Sequence, residues 1–182
     1  MIFLKNLLLT LGFSEIRFFL MIKAIMAVDD NGGISKGSSM PWPKNSNDLQ
    51  WFKKHTLNQV VVMGSKTWED PFMPKPLKNR ENILITTKDN SYYPGANIYL
   101  KGNIINEILN LEKKYLDKDI YIIGGPNIIK QTFNLFKEFY LTRIYGNFEC
   151  DKFINIKKIT NTMSLIEKIE CDETCHFEIW RK

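Results

Sequence analysis

From Met21 onward the chain alternates two kinds of pattern. Short apolar runs, "IKAIMAV", "QVVVMG", "NILITT", "NIYL", "DIYIIGG" and "EFYLTRIYG", predict strands. The stretches between them, "NDLQWFKKHT", "KTWED", "IINEILNLEKKYL" and "NIIKQTF", predict helices. Val60–Met63 and Ile120–Ile123 have no polar face, which suits strands covered on both sides in a parallel sheet. The tail "SLIEKIE-CDET-CHFEIWRK" instead places two strands about a polar turn, an antiparallel hairpin. The expected fold class is α/β: a single domain with a central, mostly parallel twisted β-sheet, flanked by helices and closed at one edge by the C-terminal hairpin. Two loops exceed what a connection needs. "DDNGGISKGSSMPWPKNS" (Asp29–Ser46) is a candidate lid, and "DPFMPKPLKNRE" carries three prolines and a lone Arg80.

Composition narrows this picture. At 182 residues, 44% hydrophobic and 25% charged, the chain is long enough for a substantial core and is no disordered tail. The net charge of +5 is spread among acidic residues without a block of like charge, so a polyanionic small molecule is the expected partner rather than nucleic acid. Three cysteines, Cys150, Cys171 and Cys175, lack framework spacing and point to free thiols in a reducing, cytoplasmic compartment. No metal site is expected, since Cys171, Cys175 and His176 have no second ligand cluster. Residues 1–20 are apolar but interrupted by Lys5, Glu15 and Arg17, and lack a cleavage site. They are expected to be a dispensable extension before a domain at 21–182, neither a leader nor a membrane span.

The chemistry begins at two strand ends, Gly64 and Gly124-Gly125, each followed at once by a predicted helix. Exposed N–H groups there attract an anion, and glycine lets it approach the chain; two such places in one sheet suggest a dinucleotide. Each signal is weak alone. "GSKT" lacks P-loop spacing, "GGPN" is not G-x-G-x-x-G, and either glycine of the pair has a purely conformational explanation. Asp48 falls in the first turn of its helix, on one face with Phe52. It is either a dipole-complementing residue or a lone acid at the rim of an apolar cleft, suited to hold a nitrogen heterocycle. With only His55 and His176, no nucleophile apparatus is visible, which favours a borrowed reductant over hydrolysis.

Taken together in order, "AVDDNGGISKGSSMPWP", "DLQWFKKHTLNQVVVMGSKTWE", "NILITT", "YIIGGPNII", "YLTRI" and "CHFEIWRK" closely resemble dihydrofolate reductase from about Met21 to the end. The resemblance implies a monomeric enzyme that reduces 7,8-dihydrofolate to tetrahydrofolate for one-carbon metabolism, with NADPH as cofactor and with neither nucleic acid nor membrane as partner. It makes Asp48 the sole acid of the pterin pocket with Thr142 behind it, and admits a water near Met40 and Trp42 of the lid. Ile25, Met26 and Ala27 match the first strand beside pterin and carboxamide. Leu49, Phe52, Leu77 and Ile123 match apolar walls, and Arg80 the clamp on the glutamate tail's carboxylate. Gly64, Ser65, Lys66 and Thr67 match one cofactor loop, and Gly124, Gly125, Pro126, Asn127 and Ile128 the other, with a cis link between the glycines. Thr86, Thr87 and Lys88 complete the cofactor set. Ser65 stands where many members carry an arginine for the 2′-phosphate, so the preference for NADPH is expected to be weakened. Ile129 replaces a frequent aromatic, and "MPWPKNSND" is one residue longer than usual. A related pyrimidine reductase of riboflavin synthesis and a non-catalytic basic binding protein are the alternatives; "DLQWF" and Arg80 favour folate.

Overall fold

The computed structural model describes residues 21–182; the expectation for residues 1–20 lies outside them. Ten strands and five α-helices follow one another as β1 (Ile22–Val28), β2 (Gly33–Ser35), α1 (Ser46–Thr56), β3 (Val60–Gly64), α2 (Ser65–Glu69), β4 (Glu81–Ile85), β5 (Ile98–Leu100), α3 (Ile104–Lys114), β6 (Ile120–Gly124), α4 (Pro126–Thr132), β7 (Glu138–Ile144), β8 (Lys152–Phe153), α5 (Ile156–Thr162), β9 (Ser164–Asp172) and β10 (Cys175–Arg181).

Eight strands form one sheet in the order β5-β4-β3-β6-β1-β7-β10-β9. All pairings from β5 to β7 are parallel, and β10 and β9 join antiparallel. Side chains alternate between the faces. Ile22, Ala24, Val28, Val60, Val62, Ile120 and Ile122 face one core; Ile25, Val61, Met63, Tyr121, Ile123 and Tyr140 face the other. Val60, Val61 and Val62 are all fully buried, which is why this run shows no alternation in the sequence. At the N-terminal edge, buried Lys23 bridges Asp119 (2.8 Å) and Glu138 (3.3 Å), and Arg181 reaches Glu138 at 2.6 Å, so the buried charges are paired.

Because β6 lies between β1 and β3, the chain crosses over it, and the carboxyl ends of these three strands adjoin. Ligands enter parallel sheets at such crevices. The structure differs from the sequence reading in two places: helix α5 was not expected, and the Asp29–Ser46 loop is not uniformly open. Its first part forms β2, paired with β8 in a separate two-stranded sheet. Fully buried Asp29 accepts from the backbone N–H of Asn31 (2.9 Å) and Gly33 (2.7 Å), and its second oxygen accepts from Phe148 N–H at 3.3 Å.

Candidate active site

Helix α1 sets the acid. Asn45 caps it, its side-chain oxygen accepting from the Asp48 N–H at 3.0 Å. Trp51 anchors the inner face, stacked on Phe177 of β10 at 4.2 Å with rings 6° from parallel. This anchoring turns Asp48 toward Thr142, whose side chain favours the ionised form of the carboxyl group. Thr142 is buried and sits in register with Ala27 on one side and Phe177 on the other. Desolvation raises the Asp48 pKa above the ordinary aspartate value, and the Thr142 hydrogen bond opposes the rise only partly. No lysine or arginine pairs with Asp48 among the described residues. A half-buried carboxylate without a cation is poised to accept from N–H donors of a flat, uncharged heterocycle.

The walls belong to one cluster: Ile25, Trp42, Leu77 and Ile123 are buried in it, with Ala27 and Phe52 packed against it. Leu49, 41% exposed, stands at the rim. Met26 packs into the opposite core, so only its backbone faces the crevice. On the lid, Met40 is 44% exposed, while Trp42 is buried edge-on to Phe148 at 5.8 Å. The same helix carries His55, packed between Trp51 (4.2 Å) and Tyr140 (4.6 Å), with Nε2 buried and unpartnered. Burial, then the positive charges of Lys54 and Lys23, lower its pKa to about 4.

Arg80 lies at the far end of α1. Its Nε and Nη2 donate to Thr56 Oγ1 at 3.2 and 3.1 Å, its Nη1 to the Lys78 carbonyl at 2.8 Å, and its guanidinium is 5.9 Å from the Phe52 ring centroid. Burial lowers its pKa, and no carboxylate pairs with it among the described residues. The loop that presents Leu77 and Arg80 is held by Asn82, 1% exposed. Its side chain accepts from Leu77 N–H (2.9 Å) and donates to the carbonyls of Leu77 (2.9 Å) and Arg80 (3.0 Å). The sequence reading passed over Thr56, Asn82 and Phe148. A lone amide in the apolar strand "ENILI" was the available signal for Asn82.

On the other side of the crevice, the two glycine strand ends are neighbours, with Met63 in register with Gly124. The Gly124-Gly125 peptide is cis, as the resemblance implied. Gly124 has φ +130°, and a Cβ there would lie 3.2 Å from Thr67 Oγ1; one on Gly64 would lie 3.3 Å from Ile128. Helices α2 and α4 are short, and no side chain caps either one. Local N–H groups, rather than long helix dipoles, are therefore what an anion meets here. Pro126 is half-buried, Asn127 exposed and Ile128 buried; Ser65 is half-buried and Lys66 exposed. Thr86 is buried, with its Oγ1 accepting from Lys88 N–H at 3.1 Å, and Thr87 is exposed. Lys88 lies 3.9 Å from Glu69 and 4.5 Å from the Tyr92 ring centroid, so part of its charge is already engaged. Two uncapped helix starts beside glycines, with a side chain at Gly124 excluded by Thr67, fit the diphosphate of a dinucleotide.

Glycine strand ends suited to a dinucleotide and a lone acid on the same sheet are the features expected of a nicotinamide-dependent reductase of a nitrogen heterocycle. The family model described as dihydrofolate reductase matches residues 21–179, and the chain belongs to the dihydrofolate reductase family. It is 34% identical to the dihydrofolate reductase of Mycoplasma pneumoniae over 139 residues, 75% of this chain and 84% of that one. It is 32% identical to the viral dihydrofolate reductase of Saimiriine herpesvirus 2 over 161 residues, 81% of this chain and 75% of that one. Among solved structures, the Enterococcus faecalis dihydrofolate reductase complexed with NADP(H) and RAB-propyl is similar with a TM-score of 0.74. It is 27% identical, and the match covers 88% of this chain and 95% of that one. The riboflavin-pathway and binding-protein alternatives gain nothing from these matches.

Proposed function

We propose that the chain carries out the family's reaction, NADPH-dependent reduction of 7,8-dihydrofolate to tetrahydrofolate, with Asp48 as its acid. The observation that carries this reading is the half-buried Asp48 carboxyl group, held by Thr142 and without a cation, on the same sheet face as Ile25, Ala27, Phe52 and Ile123. Gly64–Thr67, Thr86–Lys88 and Gly124–Ile128 would hold NADPH, which when bound would supply the hydride. Asp48 accepts from the pterin's amino group and adjacent ring nitrogen, and its negative charge raises the proton affinity of the ring. The proton arrives from water admitted beside Met40 and Trp42, and closure of the lid removes bulk water. Leu49, Phe52 and Leu77 enclose the aminobenzoyl ring, while Arg80 offers its planar fork to a tail carboxylate.

No described helix is long and apolar enough to cross a membrane. The three free cysteines support a reducing compartment, and the reading is of a monomer working in the cytoplasm. The direct test follows the absorbance of NADPH and, separately, NADH in the presence of the full chain and dihydrofolate. Dihydrofolate-dependent oxidation is expected, faster with NADPH. No oxidation with either would sink the proposal.

A further inference from the structure

The turn between β9 and β10 reaches back to the cap of α1. Asn45 spends its side-chain oxygen on the Asp48 N–H (3.0 Å), which leaves its Nδ2 to find an acceptor. That acceptor is Thr174 Oγ1 at 2.8 Å, 129 residues away in the chain. The Thr174 hydroxyl in turn donates to Asp172 Oδ1 at 2.6 Å, and Thr174 N–H donates to the same oxygen at 2.8 Å, so the direction of the chain of hydrogen bonds is fixed. The other oxygen, Asp172 Oδ2, accepts from Asn47 Nδ2 at 2.6 Å, engaging the first turn of α1 a second time. Cys175 Sγ lies 3.9 Å from Asn45 Oδ1. From within, Phe177 of the same hairpin stacks on Trp51. The hairpin thus holds the helix by its cap, its first turn and its inner face.

Such a grip exceeds what capping needs, because Asn45 alone satisfies the N–H of Asp48. What the turn adds is the orientation of the Asn45 amide: rotated by half a turn, it would present N–H₂ to N–H and lose the cap. We propose that Thr174 and Asp172 are positioning residues for the reduction, locking the Asn45 amide and so holding the first turn of α1 where Asp48 meets Thr142. The inference rests on Asp48 being the acid. Hydrogen bonds first from the Thr174 side chain and then from its backbone keep the Asp172 carboxyl below the usual aspartate range, so the anchor stays ionised. Burial holds the neighbouring Cys171 thiol up to about 12 and raises that of Cys175, so neither contributes a competing charge at neutral pH.

Thr174→Val in the full chain keeps the shape but removes both the acceptor for Asn45 and the donor to Asp172. The expected result is a fall in kcat of about three- to tenfold, the range of a lost cap, with a displaced acid limb of the kcat/KM profile and unchanged NADPH affinity by fluorescence titration. Thr174→Ser is expected to restore both kcat and the profile. Unchanged kcat and profile in Thr174→Val overturn the inference. So does a loss that serine does not restore, or one that merely follows the folded fraction measured by circular dichroism. Asp48→Asn, assayed alongside, separates the two readings: if it retains turnover, the acid is misassigned; if it is inactive while Thr174→Val is normal, only the positioning role fails.

Discussion

Thr56→Val isolates the support beneath Arg80. Thr56 is fully buried, donates from Oγ1 to the Phe52 carbonyl at 2.7 Å, and accepts from two nitrogens of Arg80 at 3.2 and 3.1 Å. Valine fills the same volume without an acceptor, so packing changes little while the guanidinium loses two of its three hydrogen bonds. Two hydrogen bonds from a charged donor that share one oxygen and run slightly long are together worth about 1.5–2 kcal/mol. Arg80 is then free to leave the position in which its fork meets a carboxylate, and the substrate must supply that ordering. The tail is remote from the reacting atoms, so the loss falls on uniform binding: KM for dihydrofolate should rise about ten- to thirtyfold with kcat nearly unchanged. The assay compares dihydrofolate with a dihydropterin that lacks the glutamate tail. The short substrate should not notice the substitution. An equal loss on both substrates, or a fall in kcat at constant KM, would refute the role given to Arg80 and its support.

Further outcomes follow from the same geometry. Asp48→Asn should lower kcat at neutral pH by about two to four orders of magnitude while NADPH binding, followed by fluorescence, persists. Ser65→Arg should lower KM for NADPH about tenfold and leave KM for NADH unchanged, because only the former carries the phosphate a new fork can grip; an equal effect on both would discard that reading. His55 gives a pH dependence of stability. Its folded pKa of about 4 lies below the ordinary histidine value, so below about pH 6.5 the unfolded chain takes up a proton that the folded one refuses. Stability should therefore fall as pH drops from about 6.5 to 4 and level off below, by about 1–2 kcal/mol after discounting for its partial exposure. Urea melts of His55→Phe should lose that slope; an unaltered slope would assign it to other groups.

The parallel strands were legible because burial on both faces writes itself into the sequence as unbroken Val and Ile, as at Val60–Met63. The place of Asp48 in a first turn and of Gly124 at a strand end was legible because local pattern sets each; the roles proposed for them came from the resemblance. What escaped was long-range and polar. Strands β2 and β8 are too short to show a period and exist because buried Asp29 organises the backbone around them. The roles of Thr56 and Thr174 depend on contacts across 24 and 129 residues, respectively, between side chains whose identities alone imply nothing. Met26 shows the opposite limit. The sequence placed it correctly on β1, but only the alternation of the strand shows that its side chain serves the far core.

Strand β10 is the last of the ten in chain order, yet it lies inside the sheet, between β7 and β9. Its Phe177 stands beside Thr142 and under Trp51, so the helix that carries Asp48 is seated by a strand that follows it far along the chain. A nascent chain stalled before Cys175 would already possess its acid, its arginine and its glycine cradle, but nothing to seat the helix that aims them. Competence in this molecule thus waits on β10 rather than growing by degrees.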